Sequence, residues 1–152
     1  MPSSPSLPVL GERYVLSELI GQGGNAGVYR ALDRRSRRTV AVKRYDPRMR
    51  HDIGFVASFR RGVRQACALD HAHVLPTLSY GYADESYYVV SEYVGGGNFE
   101  QYRRVSDMHP WPGIVRIIAQ ACAGLDYIHH AGMVHGNLKP TNILLRPDGT
   151  AL

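Results

Sequence analysis

Three short runs rich in β-branched and aromatic residues lie between Tyr14 and Tyr45, and two breaks of opposite chemistry separate them. Tyr14–Ile20, Val28–Leu32 and Thr39–Lys43 read as strands, with a glycine-dense turn at Gly21–Gly27 and a charged turn at Asp33–Arg38. Connections this short join antiparallel neighbours, because a parallel pair needs a crossover of about a dozen residues. The first part of the chain is therefore an antiparallel meander, and the remainder has to be fitted around it.

After a polar connection at Asp46–Gly54, apolar residues recur at Phe55, Phe59, Val63, Ala66 and Leu69, which predicts a helix over Phe55–Leu69. Gly62 sits inside it, at a cost of about 1 kcal/mol relative to alanine. Val74–Leu78 with Ser79–Tyr82, and then Ser86–Tyr93, supply two more strands around a turn at Ala83–Glu85. Gly95–Gly97 is a flexible break and the expected lobe boundary. Beyond it, Asn98–Val105 reads as a short helix. Pro112–Ala131 reads as a longer one, with an apolar stripe of Val115, Ile118, Cys122, Leu125 and Ile128. Pro112 suits its first turn and Gly132 its end. Met133–Leu145 holds a loop and a short strand, and Pro147–Gly149 is a hairpin turn. The expected class is α+β: a Pro/Ser-rich flexible leader at 1–11, a five-stranded antiparallel sheet with one helix at 12–94, and a hinge with a partial helical lobe at 95–152.

Composition narrows the function. With 152 residues, 44% hydrophobic and 20% charged, the chain can bury a core and is not of disordered composition. No run of 18 apolar residues is present, and the start has no basic region followed by an apolar stretch, so the default location is the cytoplasm. Cys67 and Cys122 show no metal spacing and read as buried, reduced thiols. The net charge of +5 comes from arginines in short groups, Arg34, Arg35, Arg37 and Arg38 in a turn and Arg60, Arg61 and Arg64 on a helix. Neither group has interleaved aromatics, so solvated surface charge is favoured over nucleic acid. Against sixteen arginines stand only two lysines, Lys43 and Lys139. A compact ammonium is chemically distinct from a guanidinium, so these two positions draw the eye.

The glycine turn lies between antiparallel strands, where backbone N–H groups can approach phosphates unobstructed; alone it could equally be an ordinary flexible hairpin. Lys43 ends the strand Val40–Lys43, either meeting an anion or reaching out to solvent. Val134–Leu145, which reads Val-His-Gly-Asn-Leu-Lys-Pro-Thr-Asn-Ile-Leu-Leu, resembles the catalytic loop of protein kinases, His-Arg-Asp-Leu-x-x-x-Asn. Taken with the glycine turn and Lys43, the chain from about Arg13 to Leu152 resembles the protein kinase family and its bacterial Ser/Thr group, with Lys139-Pro140 as the Ser/Thr signature. The resemblance implies a nucleotide site. Gly21, Gly23 and Ala26 would form the phosphate loop, Lys43 would hold the α- and β-phosphates, and Val28, Ala41 and Leu144 would sandwich adenine. Ser91 falls at the gatekeeper position, Glu92 and Val94 would offer backbone hydrogen bonds to adenine, and Asn98 would meet the ribose. Lys139 would lie beside the transferred phosphoryl group and Asn142 would ligate metal.

The same comparison exposes departures. Asn137 stands where the family has its catalytic aspartate, and an amide can hydrogen-bond a hydroxyl but has no useful basicity. Gly136 replaces the arginine that holds a phosphorylated activation loop. Gly62 falls where the regulatory helix carries the glutamate that pairs with the strand lysine, and Phe55–Leu69 contains no Glu or Asp. The sequence stops short of the family's Asp-Phe-Gly segment, so Asn142 alone is a weak, incomplete site for Mg²⁺. The expectation is a pseudokinase with an ATP-type pocket that acts by binding a protein partner through an exposed face of the Pro112–Ala131 helix. The alternatives are a Ser/Thr kinase with residual phosphoryl transfer and a truncated fragment without function of its own. His135 is expected to pack in the core of the catalytic-loop segment.

Overall fold

The computed structural model describes residues 8–105 and 111–152; residues 1–7 of the expected leader lie outside them. Contacts divide the chain into two units. One runs through Ala68 and takes in Pro76–Tyr93, and the other joins Leu69–Leu75 to Val94–Leu152.

The first unit is built on β1 (Val9–Leu10), β2 (Tyr14–Gln22), β3 (Ala26–Asp33), β4 (Arg38–Tyr45), β5 (Thr77–Ala83) and β6 (Ser86–Glu92). They form one sheet in the order β1-β2-β3-β4-β6-β5, and every neighbouring pair is antiparallel. The sheet has one strand more than the five expected. Val9–Leu10, read as leader, pairs with Val15 and Tyr14. Leu10 is 2% exposed and joins Tyr14, Leu16, Ala31, Val40, Val42 and Val90 in a core. Burying a leucine stabilises by about 1.5–3 kcal/mol, enough to hold a two-residue strand in place.

Alternation along β4 decides which side chains go where. Val40 and Val42 enter that core. Tyr45, on the opposite face, meets Phe55 and Phe59 of α1 (Ile53–Cys67) at ring-centroid distances of 5.0 and 5.6 Å. Asp52 caps α1 by accepting the Phe55 N–H at 2.9 Å. Only Phe59 and Val63 of the helix are buried, and a Cβ at Gly62 would meet open space.

At the far end of β3, Asp33 is 4% exposed and accepts both the Nε and Nη2 hydrogens of Arg13 at 2.8 Å, with Ser36 Oγ and the Arg35 N–H completing its shell. The Arg13 guanidinium and these further donors outweigh burial and hold the Asp33 carboxyl well below the usual carboxylate range. The charged turn at 33–38 is thus organised around a buried aspartate whose charge is balanced by Arg13.

The second unit contains α2 (Phe99–Val105), α3 (Trp111–His130) and the segment that follows. Asn98 and Gln101 cap α2 reciprocally: Asn98 Oδ1 accepts the Gln101 N–H, and Gln101 Oε1 accepts the Asn98 N–H, each at 2.9 Å. Gly132 ends α3 at φ +75, with the Gly132 N–H donating to His129 O and the Met133 N–H to Ile128 O, both at 2.9 Å. The expected apolar stripe divides: Ile128 is buried together with Ile117 and Gly124, while Val115, Ile118 and Cys122 are exposed, and Ile114 and Ala121 pack on the core. Cys67 and Cys122, read as buried, are both exposed. The helix carries apolar residues around a wide arc, and periodicity alone could not say which part of the arc a core would take. That core consists of Phe99, Ile117, Ile143, Leu145 and Ala151. Leu69–Leu75 docks here as well. The His71 ring stacks on Tyr127 at 4.9 Å, Tyr127 Oη accepts the Asp70 N–H, and His73 Nδ1 lies 2.9 Å from the Ala151 carbonyl.

Two predictions follow from these contacts. Asp33→Asn is expected to lower stability at pH 7 by about 2–3 kcal/mol, because Arg13 loses a charged partner. Because the folded-state pKa is depressed, the wild-type advantage is full above about pH 4 and shrinks as pH falls toward the lower folded value. Urea unfolding of both proteins from pH 7 to pH 2.5 checks it, and an advantage that stays constant over that range would refute the linkage. Gly62→Ala and Gly124→Ala should diverge. The first is expected to raise stability by up to about 1 kcal/mol on helix propensity. The second drives a methyl into the His73 carbonyl and is expected to cost about 1–3 kcal/mol, read from the shift in melting temperature.

Candidate functional site

In the first unit the pleat gathers one set of expected site residues on a single sheet face. Val28 lies directly across from Lys43, which lies across from Val89, and Ala41 lies across from Ser91. Directly opposed residues share a face, and so do residues two apart, so Val28, Ala41, Lys43 and Ser91 lie on the side that Tyr45 presents to α1. The β2–β3 turn beside them is tighter than expected, because β2 runs to Gln22 and β3 begins at Ala26. Gly21 pairs with Val28, and the Gly23 N–H closes the turn on Ala26 O at 2.8 Å. Asn25 O accepts the Asp46 N–H at 2.9 Å, tying the hairpin tip to the end of β4.

Lys43 is exposed, and among the described residues no carboxylate lies within ion-pair distance of it. Its Nζ lies instead 5.2 Å from the centroid of the Tyr45 ring. Glu92 lies opposite Val40, and its N–H donates to Pro76 O at 3.1 Å.

In the second unit, Asn137, Lys139 and Asn142 fall on one short loop, and Asn98 and Leu144 meet in a β-bridge. Asn142 Nδ2 donates to Asn137 O at 2.8 Å and its backbone N–H donates to Lys139 O at 2.8 Å, so one asparagine closes the loop twice. Gly136 takes φ +73, a conformation that glycine accepts without strain. The His135 ring does not pack in a core. It is exposed, and its Nδ1 accepts the Asn137 N–H at 3.2 Å. The Oδ1 and backbone N–H of Asn98 are engaged in the α2 cap. Val94 stands between β6 and α2, half-buried.

The donor set can be tested against the groups that the resemblance implies. For a nucleotide, the glycine hairpin and an unpaired ammonium on the same face fit a polyphosphate. For Mg²⁺ the fit fails: the loop holds neutral side-chain oxygens and no carboxylate, and among the described residues no group of three or more His, Cys, Asp or Glu side chains comes together. No step is therefore derived through a protein-held metal.

The protein kinase domain family matches residues 14–151. The chain belongs to that family. Its relatives include the serine/threonine-protein kinase PknB of Mycobacterium leprae, 34% identical over 142 residues, which cover 91% of this chain and 23% of that protein. PrkC of Bacillus subtilis is 35% identical over 136 residues, covering 88% of this chain and 20% of the relative. Among solved structures, the Mycobacterium tuberculosis PknI kinase domain superposes with a TM-score of 0.82 at 25% identity, covering 99% of this chain and 61% of PknI. The chain is thus a bacterial-type protein kinase sequence that spans about a fifth of the length of the curated relatives and three fifths of the PknI domain. Within the kinase family frame, the residues that sequence reasoning missed are Tyr45, two positions beyond Lys43, and His73, whose ring nitrogen reaches Ala151. Strand alternation could have found the first; nothing local marks the second.

Because Asn142 closes the loop through its side chain, Asn142→Leu is expected to speed hydrogen exchange over residues 135–142 by about three- to tenfold, the loss of one net hydrogen bond. Unchanged exchange would mean that the backbone turn at Pro140–Asn142 holds the loop unaided.

Proposed function

We propose that the chain is a nucleotide-binding kinase-fold module that acts by binding, without efficient phosphoryl transfer. The observation that carries this is Asn137. The loop 134–142 contains no carboxylate, so the proton acceptor that the family places at this position is replaced by an amide without useful basicity, and such acid–base help is typically worth about 10²–10⁴-fold in rate. The alignment of Gly62 with the helix glutamate position and the lack of acidic residues in α1 point the same way. Binding is supported by the shared face of Val28, Ala41 and Lys43 beside the glycine hairpin. The solved kinase structure of Rad53 in complex with AMP-PNP, 28% identical and similar at a TM-score of 0.79, is in line with an ATP-type ligand. The partner we expect is a protein seated on the outward face of α3, where Trp111, Val115 and Ile118 are 78%, 59% and 46% exposed. A cytoplasmic setting agrees with the described helices, none of which is long and apolar enough to cross a membrane.

The second reading, residual Ser/Thr kinase activity, is favoured by one observation: Lys139 and Asn142 remain together on the closed loop, and the relatives are named as serine/threonine kinases. Calorimetry with ATP is expected to show saturable binding that weakens about tenfold or more in Lys43→Ala, as for the loss of a charge-assisted contact. Absence of binding to folded protein refutes the nucleotide site. A phosphotransfer assay with Mg²⁺ or Mn²⁺ separates the readings: wild-type turnover at levels typical of kinases, about 1–100 per second, would overturn the binding-only role.

A further inference from the structure

We propose that Tyr45 positions Lys43, in place of the acidic side chain that α1 lacks at Gly62. This rests on the reading that Lys43 meets the nucleotide. Lys43 and Tyr45 are two residues apart on β4, so the pleat sends both side chains to one face. The Lys43 Nζ lies 5.2 Å from the Tyr45 ring centroid, within the range of about 6 Å over which a ring quadrupole attracts an ammonium. The ring is itself held. Phe55 and Phe59 of α1 contact it at 5.0 and 5.6 Å, and Phe59 in turn meets Tyr87 of β6 at 4.9 Å. A cluster of tilted and edge-on rings therefore sets the plane over which the lysine rests, and it links α1 to Lys43 without an ion pair.

Among the described residues no acidic group competes. Ile53–Cys67 contains no Asp or Glu, and none of the ion pairs among the described residues involves Lys43. The chemistry differs from that of a carboxylate in one useful respect. A ring face attracts the ammonium without neutralising it, so Lys43 keeps its full charge for a polyphosphate. Gly62 leaves open space where a glutamate would stand, so an acid can be added there without steric conflict.

The test has a readout that needs no nucleotide. The chain has two lysines, so the ε-methylene proton signals of Lys43 and Lys139 are readily told apart by NMR. In wild type the Lys43 signals are expected upfield of those of Lys139 through the ring current of Tyr45. They should remain there in Tyr45→Phe and move to the Lys139 position in Tyr45→Leu. ATP affinity should be kept in Tyr45→Phe and fall about two- to fivefold in Tyr45→Leu, with no further fall when Tyr45→Leu is added to Lys43→Ala. Coincident Lys43 and Lys139 signals in wild type overturn the placement. A folded Tyr45→Leu protein with wild-type affinity overturns the positioning role, and so does an equal loss in the Lys43→Ala background, which would assign the effect to packing. Upfield Lys43 signals in a wild type that binds no ATP would keep Tyr45's placement and remove the nucleotide reading instead.

Discussion

The β3–β4 ladder is the constraint on which the first unit depends. It runs without a register shift from Ala26 opposite Tyr45 to Asp33 opposite Arg38. A slip of one residue would exchange the two faces of β4, sending Lys43 into the core and Val42 into water. The ladder is secured at both ends. Asp33, neutralised by Arg13 and ringed by donors, fixes the turn end, and Asn25 O bound to the Asp46 N–H fixes the glycine end. Between them the face that holds Val28, Ala41 and Lys43 is a consequence of register rather than a separately built feature.

The second unit solves a different problem. Its loop 134–142 has little apolar content facing inward, and Val134 and Leu138 are 80% and 51% exposed. Order in the loop therefore comes from polar closure: one asparagine side chain, one backbone turn and a glycine at positive φ. The support lies on either side, in the hydrophobic cluster of Ile117, Ile143 and Leu145 and in the docking of His71 and His73 on Tyr127 and Ala151. The chemistry of the loop is thus carried by exposed residues on a scaffold that its neighbours hold.

Much of the fold was legible in the sequence, since each legible part has a local cause. Alternation gave β2, β3, β4 and β6 to within about two residues, and the helical period gave α1 and α3. Gly132 announced the end of α3 because only glycine adopts its φ without strain. What escaped had a distant cause. Val9–Leu10 is a strand because Leu10 reaches a core assembled from four other strands. The Pro47–His51 stretch turns into a 3-10 helix under an Asp46 cap, inside what read as a plain polar connection. Which part of the apolar arc of α3 a core takes was not legible, because Ile114 and Ile117 are as apolar as Val115 and Ile118, and the partners Phe99 and Ile143 distinguish them.

The sequence by itself determined the family membership, the α+β class and the chemical character of the loop at 134–142, including the amide of Asn137 in place of a carboxylate. These follow from residue identity and short spacing, which no folding event can change. The tertiary structure alone decided that Lys43 rests on Tyr45, that Asp33 is buried and paired, that His135 stays outside a core and that Asn98 is committed to a helix cap. Each of these is a choice among partners that local sequence leaves equally available, and packing settles it by bringing one of them within reach.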